Sequence, residues 1–229
     1  MDSSVRERLQ DIMTNGAGLS LPLFETVMNQ SEREDRYREM MQTLITRKSC
    51  ASCPDTMIHG VDIRLPMGSP SSPLMILRGP YVRDDDMDKA GDLILSALLS
   101  YLPHPMDQIY RTNVRKCSMS KSPKSVMYGD ICFALHFGRE LQVIQPKVLL
   151  VLGEENSRLA QNHLGFDPDY LLKDIPTHPT TYNIGDFSYQ IMFGKDPTEL
   201  LKAPSPLYPA YKNELWNVLR KACELAFHP

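Results

Sequence analysis

Apolar and polar positions change period several times along this chain, and each change marks an element. In EREDRYREMMQTLITRK, residues Tyr37, Met40, Met41, Leu44 and Ile45 recur at helical spacing, and Ser31 with Glu34 has the form of a capping box. Residues 1–49 therefore read as an N-terminal helical extension, somewhat detached from the rest of the chain. From Cys50 to Pro73 the chain is turn-rich, with a short extended pair expected around Ile58–Leu65. Beyond it, strand-length apolar runs alternate with amphipathic stretches. Leu74–Leu77 precedes a helix whose apolar face is read as Ala90, Leu93, Ile94, Ala97, Leu98 and Tyr101. Gln108–Asn113 is the next strand, followed by a helix from about Val126 to Val143. Lys147–Leu152, KVLLVL, has the unbroken apolar character of a strand buried on both faces. A helix starting near Glu154–Asn156, a fourth strand at Tyr189–Phe193 and a closing helix with Leu215, Trp216, Leu219, Ala222, Cys223 and Ala226 complete the order.

Strands alternating with helices predict a three-layer α/β/α sandwich around a central, mostly parallel four-stranded sheet, spanning residues 50–229. Sites in such sheets gather at the carboxyl ends of the strands. Those ends carry Arg78-Gly79-Pro80, Thr112-Asn113, Gly153-Glu154 and Gly194-Lys195-Asp196.

With 229 residues, 42% hydrophobic and 23% charged, the chain can bury a sizeable core. Its apolar runs are too short to span a bilayer, and MDSSVRERLQ lacks the apolar centre of a secretory signal. An intracellular, reducing location without membrane attachment is the expectation, and there cysteines serve more often as ligands than as disulfides. The net charge of −3 argues against general nucleic-acid coating but permits a local basic patch. One lies in RTNVRKCSMSKSPK, Arg111 to Lys124, with five basic residues and no acid.

Cys50 and Cys53 form a C-x-x-C pair; Cys117 and Cys132 come later with 63 and 14 residues between, and Cys223 stands outside the pattern. Soft thiolates in an uneven set of four suit a 4Fe–4S cluster best. Zinc and a group of buried free thiols remain the alternatives. Arg115, Lys116, Lys121 and Lys124 flank Cys117 and are candidates for phosphate contacts. Asp84-Asp85-Asp86 is an acidic run that reads as a solvated turn or a weak divalent-ion site.

At these residues the chain resembles the uracil-DNA glycosylase superfamily, in particular its family-four iron–sulfur members. The similarity covers roughly residues 50–202. It rests on the four cysteines and on the order LMILRGPYVRDDD, KAGDLIL, QIYRTNVRKC and PKVLLVLG. The resemblance implies a structural cluster beside a DNA-facing cleft and hydrolysis of the bond between a flipped uracil and deoxyribose. It also places Asn113 at the base-recognising position, where an amide pairs with a pyrimidine edge. The sequence departs from the family at the reaction site. The family's glutamate falls on Arg78, its histidine falls on Asp196, and the loop carrying a base-stacking phenylalanine is missing between Asp88 and Lys89. His178-Pro179-Thr180 resembles the histidine motif but precedes the last strand instead of following it.

An acid has thus become a base and a base an acid, so Arg78 and Asp196 are expected to approach each other across the former catalytic cleft. The resemblance leaves two functions. One is a nucleic-acid-binding or assembly subunit that has lost standard uracil excision, contacting DNA more readily than RNA and a protein partner through residues 1–49. The other is an active glycosylase of altered chemistry in base-excision repair, in which Asp196 orients water and Arg78 steadies the leaving anion.

Overall fold

The computed structural model describes residues 27–46, 63–79, 86–117, 129–130, 132–164, 180–184 and 187–228. Five strands form one sheet: β1 (Leu74–Arg78), β2 (Ile109–Asn113), β3 (Val148–Leu152), β4 (Thr180–Ile184) and β5 (Phe187–Gly194), in the order β2-β1-β3-β5-β4. The four strands expected from the sequence pair with one another in parallel, and Leu74 aligns with both Ile109 and Val148. β4 is the addition, antiparallel to β5 with Tyr182 opposite Tyr189. It escapes an alternation-based reading because TTYNI is short and comes after a proline-rich stretch. Only Gly185 and Asp186 separate it from β5 in the sequence.

Helices cover both faces, which is why β1 and β3 are buried at every position. Successive strand side chains point to opposite faces, so each strand divides between two cores. Met75 and Leu77 of β1, with Leu149 and Val151 of β3, meet Met40, Phe133, Phe137, Leu141 and Leu159. These come from α1 (Gln30–Ile45), a π-helical turn (Phe133–Phe137), α3 (Gly138–Ile144) and α4 (Glu154–Leu164). Leu74, Ile76, Val148 and Leu150 meet Leu95, Leu99, Leu200, Leu215 and Leu219 instead. That face belongs to α2 (Asp86–Ser100), α5 (Pro197–Lys202) and α6 (Tyr208–Phe227).

Three sequence expectations are corrected. α1 starts earlier than the Ser31–Glu34 box implies: its cap is Asn29, whose side chain accepts from the Glu32 N–H at 3.0 Å. The helix is not detached either. Met40 and Leu44 are buried, Tyr37 and Met41 pack against the same core, and Arg139 pairs with Glu39 at 3.3 Å. Gln145, in left-handed conformation at the end of α3, accepts from the Met28 N–H at 3.1 Å and so ties the entry of α1 to the domain. The apolar stripe expected to greet a partner protein is thus largely used within the chain.

The third correction concerns α2. Leu93 and Tyr101 are 71% and 80% exposed, whereas Asp88, Gly91, Leu95 and Leu99 face inward. The helix is turned from the apolar face read in the sequence because its inner side must present Asp88 and Asp92 to Arg78. Of the extended pair expected at Ile58–Leu65, the described portion shows Ile63 bridging antiparallel to Cys117; residues 58–62 lie outside the described residues. Among the described residues, no helix is long and apolar enough to cross a membrane.

Because α1 is built into the core, Leu44→Ala or Met40→Ala should each destabilise the protein by about 2–5 kcal/mol in urea denaturation. A cost below about 0.5 kcal/mol, usual for surface changes, would mean that α1 does not stay docked in solution.

Candidate functional site

The sheet reverses direction of growth between β1 and β3, and ligand crevices in open α/β sheets form at such switch points. A cleft of about 220 Å³ lies there, lined by residues that include Arg78, Gly79, Gly153, Asn156, Asp196 and Lys202. Gly153, at φ +92°, turns the chain sharply out of β3, and its N–H donates to Gly194 O at 2.8 Å. A Cβ at Gly153 would sit 3.3 Å from the Asp196 Cβ, so the glycine lets the β5 exit lie close over the β3 exit.

Arg78 ends β1 on the face covered by α2. Its side chain is 5% exposed and meets three carboxylates. Nη2 is 2.9 Å from Asp88 Oδ1, Nη1 bonds Asp92 Oδ1, and Nε lies 3.2 Å from Asp196 Oδ2. The last is a charge contact without hydrogen-bond alignment. The guanidinium also donates to the Asp88 backbone carbonyl at 3.3 Å. Asp88 and Asp92 stand one turn apart on α2, and Arg64 pairs with both from the other side. Gly91 lies between them for a steric reason: a Cβ there would come within 2.3 Å of Arg78 Nη2 and 2.8 Å of Thr198 Cγ2.

Asp196 is the cap of α5. Its Oδ1 accepts from Thr198 N at 2.9 Å and Thr198 Oγ1 at 2.7 Å, while Glu199 accepts from the Asp196 N–H at 3.0 Å. Arg78 and Asp196 therefore do meet, but as part of a five-residue cluster with Asp88, Asp92 and Arg64. Burial works against the Arg78 charge, yet Asp196, Asp92 and Asp88 outweigh it and hold the group protonated above its ordinary value. Burial raises the Asp88 pKa, and Arg78 opposes that rise.

The Asn113 amide, expected against a base, donates to Gly79 O at 2.8 Å and Arg78 O at 3.3 Å. Both hydrogen bonds fasten the exit of β1 to β2. The rim of the cleft is acidic: Asp88, Glu154, Glu155, Asp196 and Glu199 stand against Arg78 and Lys202.

A second buried cluster occupies the opposite face. Lys116, 1% exposed, bonds Glu140 Oε2, Thr112 Oγ1 and, at 2.6 Å, the Asn113 carbonyl. Glu140 is fully buried and also accepts from Tyr110 OH at 2.6 Å and Thr112 Oγ1 at 2.8 Å. Burial lowers the Lys116 pKa while Glu140 and Cys132 oppose the fall; burial and Glu140 push Tyr110 well above its ordinary value. Burial, with Lys116 and Arg139, takes His136 down to about 4, so it is neutral at pH 7.

Two of the four residues expected to contact phosphate, Arg115 and Lys116, are buried. The three ammonium protons of Lys116 face protein acceptors, and Arg115 is 2% exposed, so neither is presented to a backbone phosphate. Lys121 and Lys124 lie outside the described residues, as do Asp84, Asp85 and His178.

Cys117 and Cys132 are both buried, at the exit of β2 and at the entry to the π-helical turn. Cys50 and Cys53 lie outside the described residues, and among those described no group of three or more His, Cys, Asp or Glu is arranged around a metal position. The two described thiols fit the expected centre in their chemistry. They come from separate elements, they are shielded from water, and buried Lys116 directly precedes Cys117 in the chain. Cys223 is different: it sits in the α6 core on the other face, where burial raises its thiol to about 11.

No protein-family model and no curated protein matches this chain. The sequence reading missed Asp88, Asp92, Arg64 and Glu140. A signal existed for the first two: a D-x-x-x-D spacing enclosing a mid-helix glycine, within DKAGD.

Removing Arg78 leaves buried carboxylates without their main counter-charge, so Arg78→Met should cost about 3–5 kcal/mol at pH 7. The loss should shrink on acidification. A carboxylate whose folded pKa is raised, as Asp88 already is, favours folding below its ordinary value of 3.8 and loses that contribution as pH rises through the folded value. Urea titrations of both proteins from pH 4 to 7 check this; an equal difference at all pH values would exclude the mechanism.

Gly91→Ala should destabilise by about 1–3 kcal/mol through overpacking against Arg78. Pairing it with Arg78→Met should recover part of that cost, as measured in a double-mutant cycle.

Proposed function

We propose that this chain is a uracil-DNA glycosylase-like iron–sulfur protein that serves as a nucleic-acid-binding or assembly subunit and has lost standard uracil excision. The observation that carries this reading is the state of Arg78, the residue that takes the place of the family's glutamate. Excision releases uracil as an anion, and the reaction needs positive charge or hydrogen-bond donors directed at it. In the cleft, Arg78 is turned toward Asp88, Asp92 and Asp196, and the rim adds Glu154, Glu155 and Glu199. An anion entering there meets a surplus of like charge. Asp196 has a competing task as well, since it caps α5 and pairs with Arg78. A water-activating base held in that way would have to break both arrangements.

The Asn113 amide points in the same direction, because its described hydrogen bonds hold backbone instead of a base edge. The four-thiolate 4Fe–4S centre belongs to this proposal. Cys50, Cys53, Cys117 and Cys132 would hold it, and when bound it would brace the loops around the β2 exit. Nucleic-acid contact rests on the remaining basic residues, Lys121 and Lys124, with DNA favoured over RNA by the resemblance. A protein partner through residues 1–49 has to use surface other than the Met40–Leu44 stripe.

The test is to incubate the iron-containing protein with single- and double-stranded oligonucleotides carrying uracil. No abasic sites are expected. Salt-sensitive binding weakened in a Lys121→Ala, Lys124→Ala variant would identify the nucleic-acid role; its absence would leave assembly as the function. Abasic-site formation that disappears in Asn113→Ala would overturn the proposal in favour of an active glycosylase.

A further inference from the structure

Arg78 also borders a second opening, which lies between β2 and α2. Its volume is about 120 Å³, and Arg64, Arg78, Asp92, Ser96 and Arg111 are among the residues that line it. Three guanidinium groups there face one carboxylate, the reverse of the balance at the acidic switch-point cleft. Both oxygens of that carboxylate are already engaged, since Asp92 Oδ1 bonds Arg78 and Oδ2 bonds Arg64. Among the described residues, no carboxylate forms an ion pair with Arg111.

Arg111 sits in the middle of β2, held from both sides. It is in register with Ile76 of β1, and its backbone exchanges two hydrogen bonds with Met67, at 2.8 and 2.9 Å. The half-buried side chain is therefore carried on a fixed strand. Its Nη1 donates to Ser96 Oγ at 3.1 Å, while Nη2 meets only the Met67 sulfur, a weak acceptor, at 3.9 Å. Ser96 accepts in that bond, and among the described residues its own hydroxyl proton has no acceptor. Burial lowers the Arg111 pKa; Asp92 opposes the fall and Arg64 adds to it. An arginine stays protonated under such pressure, so its charge calls for an anion.

The donors converge from two elements, a guanidinium on β2 and a hydroxyl on α2. A phosphate group suits them better than a carboxylate, because its oxygens are arranged tetrahedrally and several can be met from different directions. Leu65 and Met67, 39% and 55% exposed, line the same pocket and offer apolar surface to a sugar beside the phosphate. Arg111 also opens the basic segment that runs to Lys124, in which Arg115 and Lys116 are turned inward. We propose that Arg111 and Ser96, with Arg64 beside them, form a phosphate-binding pocket between β2 and α2. The proposal deepens the nucleic-acid reading above and rests on it for the source of the phosphate, a strand backbone; the pocket itself would take a free phosphate group by the same contacts.

The experiment uses the full chain in two arms: binding of a uracil-free labelled oligonucleotide across a salt series, and melting in the presence of inorganic phosphate. Arg111→Met should weaken oligonucleotide binding about tenfold and lower the salt slope by about one. Ser96→Ala should weaken it about threefold with the slope unchanged, because no charge is lost. Arg220→Met, which removes an arginine from the exposed Glu224 pair on α6, should leave binding at the native level. If Arg111→Met does not fold, Ser96→Ala against Arg220→Met decides in its place. Oligonucleotide binding that is the same in the native protein and in the Arg111 and Ser96 variants would overturn the inference and leave the nucleic-acid reading standing. Native protein that ignores the oligonucleotide, but melts higher with phosphate in a way that Arg111→Met abolishes, would remove the nucleic-acid reading and support the pocket as a site for free phosphate. No response in either arm would overturn both.

Discussion

The carboxyl end of the sheet is organised by one buried guanidinium. Arg78 is held by two carboxylates from α2 and by Asp196 at the start of α5, so a single charge connects β1, a crossover helix and the exit of β5. A buried arginine requires such partners, because removing a charge from water without compensation costs several kcal/mol. That requirement reaches outward into the packing. It turns α2 so that Asp88 and Asp92 face inward, leaves Leu93 and Tyr101 in solvent, and excludes any side chain at position 91. The mouth of a crevice where a ligand would be expected is thereby occupied by the protein's own ion cluster.

The opposite face repeats the principle with a different cation. Lys116 lies just past the end of β2 as Arg78 ends β1, and each is neutralised by acids on the helix that covers its own face. Both belong to segments that sequence similarity would direct at nucleic acid. Burial converts both into internal structure: one lines the switch-point cleft, the other joins the two described cysteine segments. Fold by itself does not secure function, and the binding or assembly role proposed above rests on these inward-turned groups.

Much of the architecture was legible because its causes are local. Unbroken apolar runs such as VLLVL occur where a strand is covered on both faces, and the spacing of Leu215, Leu219, Ala222 and Ala226 records one buried side of a helix. β4 was not legible: its five residues lie at the sheet edge and draw their identity from pairing with β5. The face of α2 was misread for a related reason. Both of its sides carry apolar residues, and the choice between them was made by charges on another strand. Arg115 and Lys116 appeared as members of a basic patch because linear charge density contains no information about burial.

What the amino-acid order alone determined was the alternation of elements, the mostly parallel sheet and the identity of the candidate groups: four spaced thiols, Asn113, and the opposite charges at positions 78 and 196. Each of these is a property of neighbouring residues or of chemical type. What only the tertiary structure decided was which charges pair. Asp88 and Asp92 reach Arg78, and Glu140 reaches Lys116, across separations that no local pattern encodes. Coulomb attraction and desolvation depend on distance and surroundings in three dimensions, so the same residues could not disclose in a line whether they face a ligand or one another.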